Sequence, residues 1–381
     1  MEPVRDQKCV MIIAGEVSGD SHGAKLVDAM RERNESLFFC GIGGNALKKA
    51  GVRILVEASE LSVVGITEVF SKGKRILKGI GITKRLLKTL RPDLLILIDY
   101  PGFNLHIAAT AKKLGVPVLY YISPQIWAWR PGRVNKIGKR VDHMAVILPF
   151  EEEFYRKHHI PVSYVGHPLL DNNSSQRDMP VAREINNHPV IGILPGSRDR
   201  EIASLLPIML AAARRLLKRD ENIRFIISIA PSVDKKYFKD MVQAHGLKSN
   251  YELVSDRVER IFERCDLAVV ASGTVTLEAA ICGTPIIIVY KISPLSSLIG
   301  KMLVKVNHIG LVNLIAGKEI APELVQDKAT AENITNSVLQ LLENDSTLEK
   351  QRREMLRVKE LLGGSGASIR VAEIATNMLK H

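Results

Sequence analysis

Short apolar runs recur along the chain, and each leads through a turn of small residues into a helix-like stretch. Val10–Ala14, Leu94–Ile98, Val190–Leu194, Leu267–Ala271 and Ile286–Tyr290 are the strongest of them. Val116–Tyr121, Met144–Leu148 and Arg224–Ile229 extend the series, and Ser21–Arg33 and Asn104–Leu114 read as intervening helices. Strands alternating with helices imply parallel sheets with helices on both faces. The rhythm stops within 171–189, where Asn172-Asn-Ser-Ser175, Pro180 and Asn186-Asn-His-Pro189 have linker composition, and restarts at Val190. The chain therefore reads as two doubly wound, Rossmann-like α/β domains facing each other across a cleft. The first is placed at 1–175 and the second at 186–345, with a helical tail over 346–381 broken at Gly363-Gly-Ser-Gly366. The tail either crosses back to the first domain or exchanges with a partner in a homodimer; its pattern leaves both open.

Composition narrows the class. The chain has 381 residues, 46% hydrophobic and 25% charged, as in ordinary globular proteins. Its formal charge of +12 points to an anionic partner. Aromatics make up only 5%, which argues against a stacking platform for nucleic acid. Cys9, Cys40, Cys265 and Cys282 are scattered, as expected of reduced thiols in a cytosolic protein. The apolar stretch Cys9–Ala14 is too short for a signal peptide, and no run of about 18 apolar residues is present to span a membrane.

Two segments carry the strongest chemical signal. Leu194-Pro-Gly-Ser-Arg198 and Ala271-Ser-Gly-Thr-Val-Thr-Leu-Glu278 each follow a strand and open a helix. A helix start presents N–H groups and a partial positive charge, which suit phosphate. Gly196, Ser197, Arg198, Ser272, Gly273 and Thr274 are thus candidates to hold a nucleoside diphosphate, with Arg198 adding a forked cation. Glu278 lies one turn beyond Thr274, at reach for ribose hydroxyls.

In the first half, Gly15-Glu-Val-Ser-Gly-Asp20 follows the first strand, with Ser18 or Asp20 able to cap the helix and Glu16 able to face a ligand. Asp99-Tyr-Pro-Gly-Phe-Asn104 ends an apolar strand, where an Asp is costly unless hydrogen-bonded or functional. Asp99 is a candidate general base; the bland alternative is a cap for the helix at Asn104. Ser123-Pro-Gln-Ile-Trp-Ala-Trp-Arg130 holds both tryptophans, so Trp127, Trp129 and Arg130 form either a sugar or acyl platform or a loop anchor. His167, in Gly166-His-Pro168, is more often structural than catalytic in such a setting. No Asp-x-Asp pair and no His/acid cluster at ligand spacing occurs, so no metal and no cofactor is expected.

The stretch 70–92 has bases and no acids. Lys72, Lys74, Arg75 and Lys78 interleave with Ile76, Leu77, Ile80 and Ile82, the pattern of a helix lying on anionic lipid. Each base near such a surface contributes about 1 kcal/mol. The bland reading is a helix packed on its own sheet with a solvated basic face.

Taken in order, these segments resemble the lipid-A-disaccharide synthase family, as does Asn313-Leu-Ile-Ala-Gly317. The resemblance implies a metal-independent, inverting GT-B glycosyltransferase of lipid A biosynthesis. Its donor would be UDP-2,3-diacylglucosamine and its acceptor 2,3-diacylglucosamine 1-phosphate (lipid X). It would work on the cytoplasmic face of the inner membrane and bind no nucleic acid. Asp99, or else Glu16, would be the base. Ser18, Asn104, Trp127, Trp129, Arg130 and His167 would lie on the acceptor side, and Asn313 would reach the diphosphate. Gly102 stands where some members carry a second Asp, which leaves the base to Asp99 or another acid such as Glu16 here. The nearest rival is a UDP-GlcNAc 2-epimerase on the same two-domain plan; a non-catalytic binder of anionic surfaces is the rival of another class.

Overall fold

The computed structural model describes residues 7–61, 69–129, 131–171, 188–230, 235–247, 250–255, 257–291 and 307–380. The chain divides into two compact units: residues 1–171 with 362–381, and residues 172–361.

The first unit is built on strands β1 (Cys9–Ala14), β2 (Phe38–Gly43), β3 (Arg53–Glu57), β4 (Leu94–Ile98), β5 (Val118–Tyr121), β6 (His143–Val146) and β7 (Val162–Tyr164). Their order is β3-β2-β1-β4-β5-β6-β7, and every pairing is parallel. Along each strand alternate residues feed opposite faces. Met11, Ile13, Leu95, Leu97 and Tyr120 pack on one side, and Val10, Ile12, Leu94, Ile96 and Tyr121 on the other. Emptying one such site, as in Leu97→Ala, would cost about 2–5 kcal/mol.

The second unit holds β8 (Val190–Leu194), β9 (Arg224–Ser228), β10 (Tyr251–Val254), β11 (Leu267–Ala271), β12 (Ile286–Tyr290) and β13 (Glu323–Val325). The order is β10-β9-β8-β11-β12-β13, again all parallel. The helix Asp199–Leu217 buries Ile202, Leu205, Leu206, Met209 and Leu210 against Ile191, Phe225 and Val269.

Register is pinned by a repeated device at the entry of the inner strands. Asp93, Asp142 and Asp266 each accept the N–H of the first residue of a neighbouring strand: Cys9 at 2.7 Å, Val118 at 2.9 Å and Val190 at 2.8 Å. Each returns its own N–H to that residue's carbonyl, at 2.8, 2.9 and 2.8 Å.

The segment 346–381 is not one tail. The helix Asp345–Leu361 belongs to the second unit, where Gln351 donates to the Ile286 carbonyl at 2.8 Å. The helix Ala367–Met378 returns to the first unit and packs Val371, Ala372 and Ala375 against Leu26, Val27 and Met30. Asp171 caps it, its Oδ1 accepting from Gly366 N at 2.7 Å and Ala367 N at 3.0 Å and its Oδ2 from Ser368 Oγ at 3.1 Å.

Among the described residues, no helix is long and apolar enough to cross a membrane.

Candidate functional site

Each sheet reverses its strand order once, between β1 and β4 in the first unit and between β8 and β11 in the second. Ligands of such sheets bind beyond the carboxyl ends of the strands at that reversal. The four segments singled out in the sequence follow these four strands.

In the first unit the helix after β1 begins at Val17, four residues earlier than the sequence pattern indicates, so Ser18 and Asp20 lie inside it. Neither caps it. Ser18 is exposed on the first turn, and Asp20 is buried and turned toward the next βα loop. Its carboxylate accepts from Gly44 N at 2.6 Å, Ala46 N at 2.8 Å and Leu47 N at 3.3 Å. Asp20 therefore fastens Gly41–Gly44 and caps the short helix Asn45–Lys49.

Asp99 and Tyr100 leave β4 with φ of +45° and +47°. Left-handed backbone at a non-glycine residue costs on the order of 1–3 kcal/mol and persists only where neighbours over-determine it. Here they do. The Asp99 N–H donates to Tyr121 O at 3.1 Å. Its carbonyl accepts from Tyr120 Oη at 2.6 Å and from Asn104 Nδ2 at 2.7 Å. Asn104 also donates to Ile98 O at 3.1 Å and is fully buried, so it sets this turn from within. Asp99 does not cap the helix Pro101–Lys113, whose N-cap is Tyr100. Burial first, and then the charge of Glu16, push the Asp99 carboxyl up to about 6. Glu16 itself is exposed.

Trp127 is held as a loop anchor. Its Nε1 donates to Glu151 Oε1 at 3.0 Å, and its ring stands edge-on to Phe150 at 4.8 Å. Glu151 is buried, with its carboxyl pushed up to about 7 by burial, and accepts from Leu148 N at 3.1 Å. The Trp129 side chain and Arg130 lie outside the described residues. His167 is also buried, its ring pKa lowered to about 3 by burial and by His22, and its backbone N–H donates to Leu362 O at 3.0 Å. It joins the returning tail to the first unit.

In the second unit Gly196 has φ +106°, and a Cβ there would stand 2.8 Å from Cδ of Glu201. Glu201 Oε2 also accepts from Ser197 N at 3.3 Å. Arg198 is exposed at the N-cap of the helix Asp199–Leu217. Beyond β11, no atom of the described residues lies within 4 Å of where a Cβ on Gly273 would stand. Ser272 Oγ donates to Ile309 O at 3.2 Å, which fastens the loop. Glu278 N donates to Thr274 O at 3.2 Å, placing Glu278 one turn into the helix Val275–Cys282. Burial, then Glu259, push the Glu278 carboxyl up to about 7. Tyr290, at the end of β12, feels both Glu201 and Arg198, so the ends of β8 and β12 share one electrostatic neighbourhood.

Asn313 differs from its sequence reading. It is fully buried, and its amide is committed on both sides. Nδ2 donates to Ala321 O and Glu323 Oε1, both at 2.8 Å, and Oδ1 accepts from Ile320 N at 2.8 Å and Ala321 N at 3.0 Å. It shapes the loop instead of offering itself to a diphosphate.

The basic stretch forms the helix Val69–Leu90. The side chains of Lys72, Lys74, Arg75 and Ile76 lie outside the described ones. Leu77 is 68% exposed, and Lys78 and Ile82 are exposed as well. Ile80, expected at the surface with them, is buried with Leu87 in the core of the first sheet.

Sequence reasoning passed over Glu151, Glu201 and Glu323. Each is an acid beside an apolar run, and for Glu151 the only local signal is its place three residues after Leu148 at a helix start. Among the described residues, no group of three or more His, Cys, Asp or Glu could hold a metal ion.

The fold is shared with a UDP-GlcNAc 2-epimerase from Neisseria meningitidis bound to UDP-GlcNAc (TM-score 0.65, 13% identity, 97% of this chain and 100% of that one). It is likewise shared with Acinetobacter baumannii MurG (TM-score 0.60, 13% identity, 97% and 99%). At such identity the likeness concerns fold alone. Two Rossmann-like units, each with a parallel sheet that reverses its strand order once, define the class: a protein of the GT-B fold. The model of the family described as lipid-A-disaccharide synthetase matches residues 10–375. Lipid-A-disaccharide synthases from Geobacter metallireducens (46% identical over 376 residues, 98% of this chain and 97% of that protein) and Nitrosococcus oceani (41% over 376 residues, 97% and 96%) are similar along nearly the whole length. The chain belongs to the lipid-A-disaccharide synthase family. That membership separates it from the epimerases, with which it shares only the fold.

Proposed function

We propose that this enzyme transfers 2,3-diacylglucosamine from UDP-2,3-diacylglucosamine to the 6-hydroxyl of 2,3-diacylglucosamine 1-phosphate. The products are the β-1,6-linked disaccharide phosphate and UDP. The donor is α-linked and the product β-linked, so one displacement with inversion accounts for the stereochemistry. Asp99 takes the proton from the attacking hydroxyl as the C–O bond to UDP breaks. A positioned base of this kind contributes typically about 10²–10⁴-fold. The backbone at Gly196–Ser197 and Gly273–Thr274, with Arg198, receives the charge that develops on the departing diphosphate. Glu278 accepts from the ribose hydroxyls.

The observation that carries this reading is the Asp99 turn. A half-buried carboxyl, pushed up to about 6 and fixed by its own backbone at the strand reversal, is poised to accept a proton near neutral pH. The exposed Leu77 and Ile82 beside Lys78 support peripheral attachment to the cytoplasmic face of the inner membrane, where both acylated substrates reside.

The test is an assay of the purified protein with both substrates in detergent micelles, following UDP and disaccharide phosphate by mass spectrometry. Disaccharide that requires both substrates is the expected result. UDP release without disaccharide would refute the reading.

A further inference from the structure

The second phosphate loop is tied to a residue far from it in sequence. Ser272 Oγ donates to the carbonyl of Ile309 at 3.2 Å. The N–H of that same residue donates to Glu323 Oε2 at 2.9 Å, and the next N–H, of Gly310, donates to Glu323 Oε1 at 2.9 Å. Asn313 Nδ2 completes the set on Oε1 at 2.8 Å. The Glu323 carboxylate thus accepts from two backbone N–H groups of the turn and from the side-chain amide of Asn313 in the helix that follows it. The turn has no slack on its other side, since a Cβ on Gly310 would overlap Ile288 Cδ1 of β12. Glu323 opens β13, which pairs with β12 through Ile288↔Glu323, so its backbone is fixed by the sheet.

We propose that Glu323 is a positioning residue for the donor: it fixes the Ile309–Gly310 turn, and through the Ile309 carbonyl it fixes the Ser272 hydroxyl and the loop backbone over 272–274. This rests on the reading of that loop as part of the UDP site. Glu323 touches no substrate. Its effect reaches the donor only through Ser272, so it governs donor binding and leaves the acceptor alone. A carboxylate is required because both of its oxygens face N–H donors. A glutamine must turn its own NH2 toward one of them and so loses at least one bond.

The test measures UDP affinity of the full chain by calorimetry for wild type, Glu323→Gln, Ser272→Ala and the double variant, with KM for each substrate. Glu323→Gln keeps the volume of the side chain. The expected result is a loss of UDP affinity on the order of tenfold for either single variant, as for the loss of about one hydrogen bond. The KM for acceptor stays unchanged, and the double variant is no worse than the poorer single one, because the two act along one path. A purely structural Glu323 would lower thermal stability and leave UDP affinity untouched, which would overturn the proposal. Additive losses would overturn it too. So would unchanged affinity in Ser272→Ala, a result that stands even if the Glu323 variants do not fold. Absence of UDP binding by the wild-type chain is a different failure; it would overturn the donor-site reading and this proposal with it.

Discussion

The Tyr100 ring lies directly over Gly15. A Cβ on Gly15 would stand 2.8 Å from Cγ and 2.9 Å from Cε1 of that ring. Only glycine lets the loop after β1 close on the turn after β4. This contact fixes how near Glu16 comes to Asp99. Gly15→Ala should push Tyr100 aside and swing the Asp99 carboxyl with it. Turnover should fall by roughly tenfold to a hundredfold, in line with the sensitivity of catalysis to small misplacements. UDP affinity, which we assign to the other unit, should stay at the wild-type value. Steady-state kinetics with calorimetric UDP binding checks both halves.

The acid limb of the rate profile should report Asp99. Its carboxyl is pushed up to about 6, first by burial and then by the Glu16 charge. The base acts in its ionised form, so kcat should rise with pH and level off above about 6. Glu16→Gln removes one of the two causes and should move this inflection to lower pH. An inflection that disappears in Glu16→Gln and persists in Asp99→Asn would give the role to Glu16.

Stability carries the opposite sign from activity at the same residue. A carboxyl whose folded pKa is raised holds its proton more tightly in the native state. The stability it contributes is full below the unfolded value and is lost as pH rises through about 6. Asp99→Asn removes the half-buried charge, so it should stabilise the fold at about pH 8 by roughly 1–3 kcal/mol. Near about pH 4 it should change little. Thermal melts at the two pH values decide this.

Asp266 enters β11 by exchanging hydrogen bonds with Val190, and it is buried. Asp266→Ala leaves the Val190 N–H without its partner and should destabilise the protein by about 1–3 kcal/mol. Denaturant unfolding would show this as a lower midpoint. Turnover well below the melting temperature should be retained, because Asp266 sits at the strand entry, opposite the ligand end.

The strands and the turns after them were legible because their signals are local. A run such as Leu94–Ile98 is apolar throughout only if both faces are covered, and a Gly or Asp at its exit marks a ligand end. What escaped depends on partners that local pattern does not name. Asp20 looks like a cap for its own helix, but its partners are Gly44, Ala46 and Leu47. Asn313 looks like a ligand, but its amide closes on Ile320, Ala321 and Glu323. Ile80 follows the same amphipathic rule as Leu77 and Ile82, and only the position of the sheet shows that it points inward. The destination of Ala367–Met378 was equally hidden, since an apolar stripe does not say which sheet it will cover.

The most direct test of Asp99 as the base is kcat for Asp99→Asn set beside its UDP affinity. Turnover should fall by about 10²-fold or more while UDP binding stays as in the wild type. Turnover that survives the substitution would contradict the account.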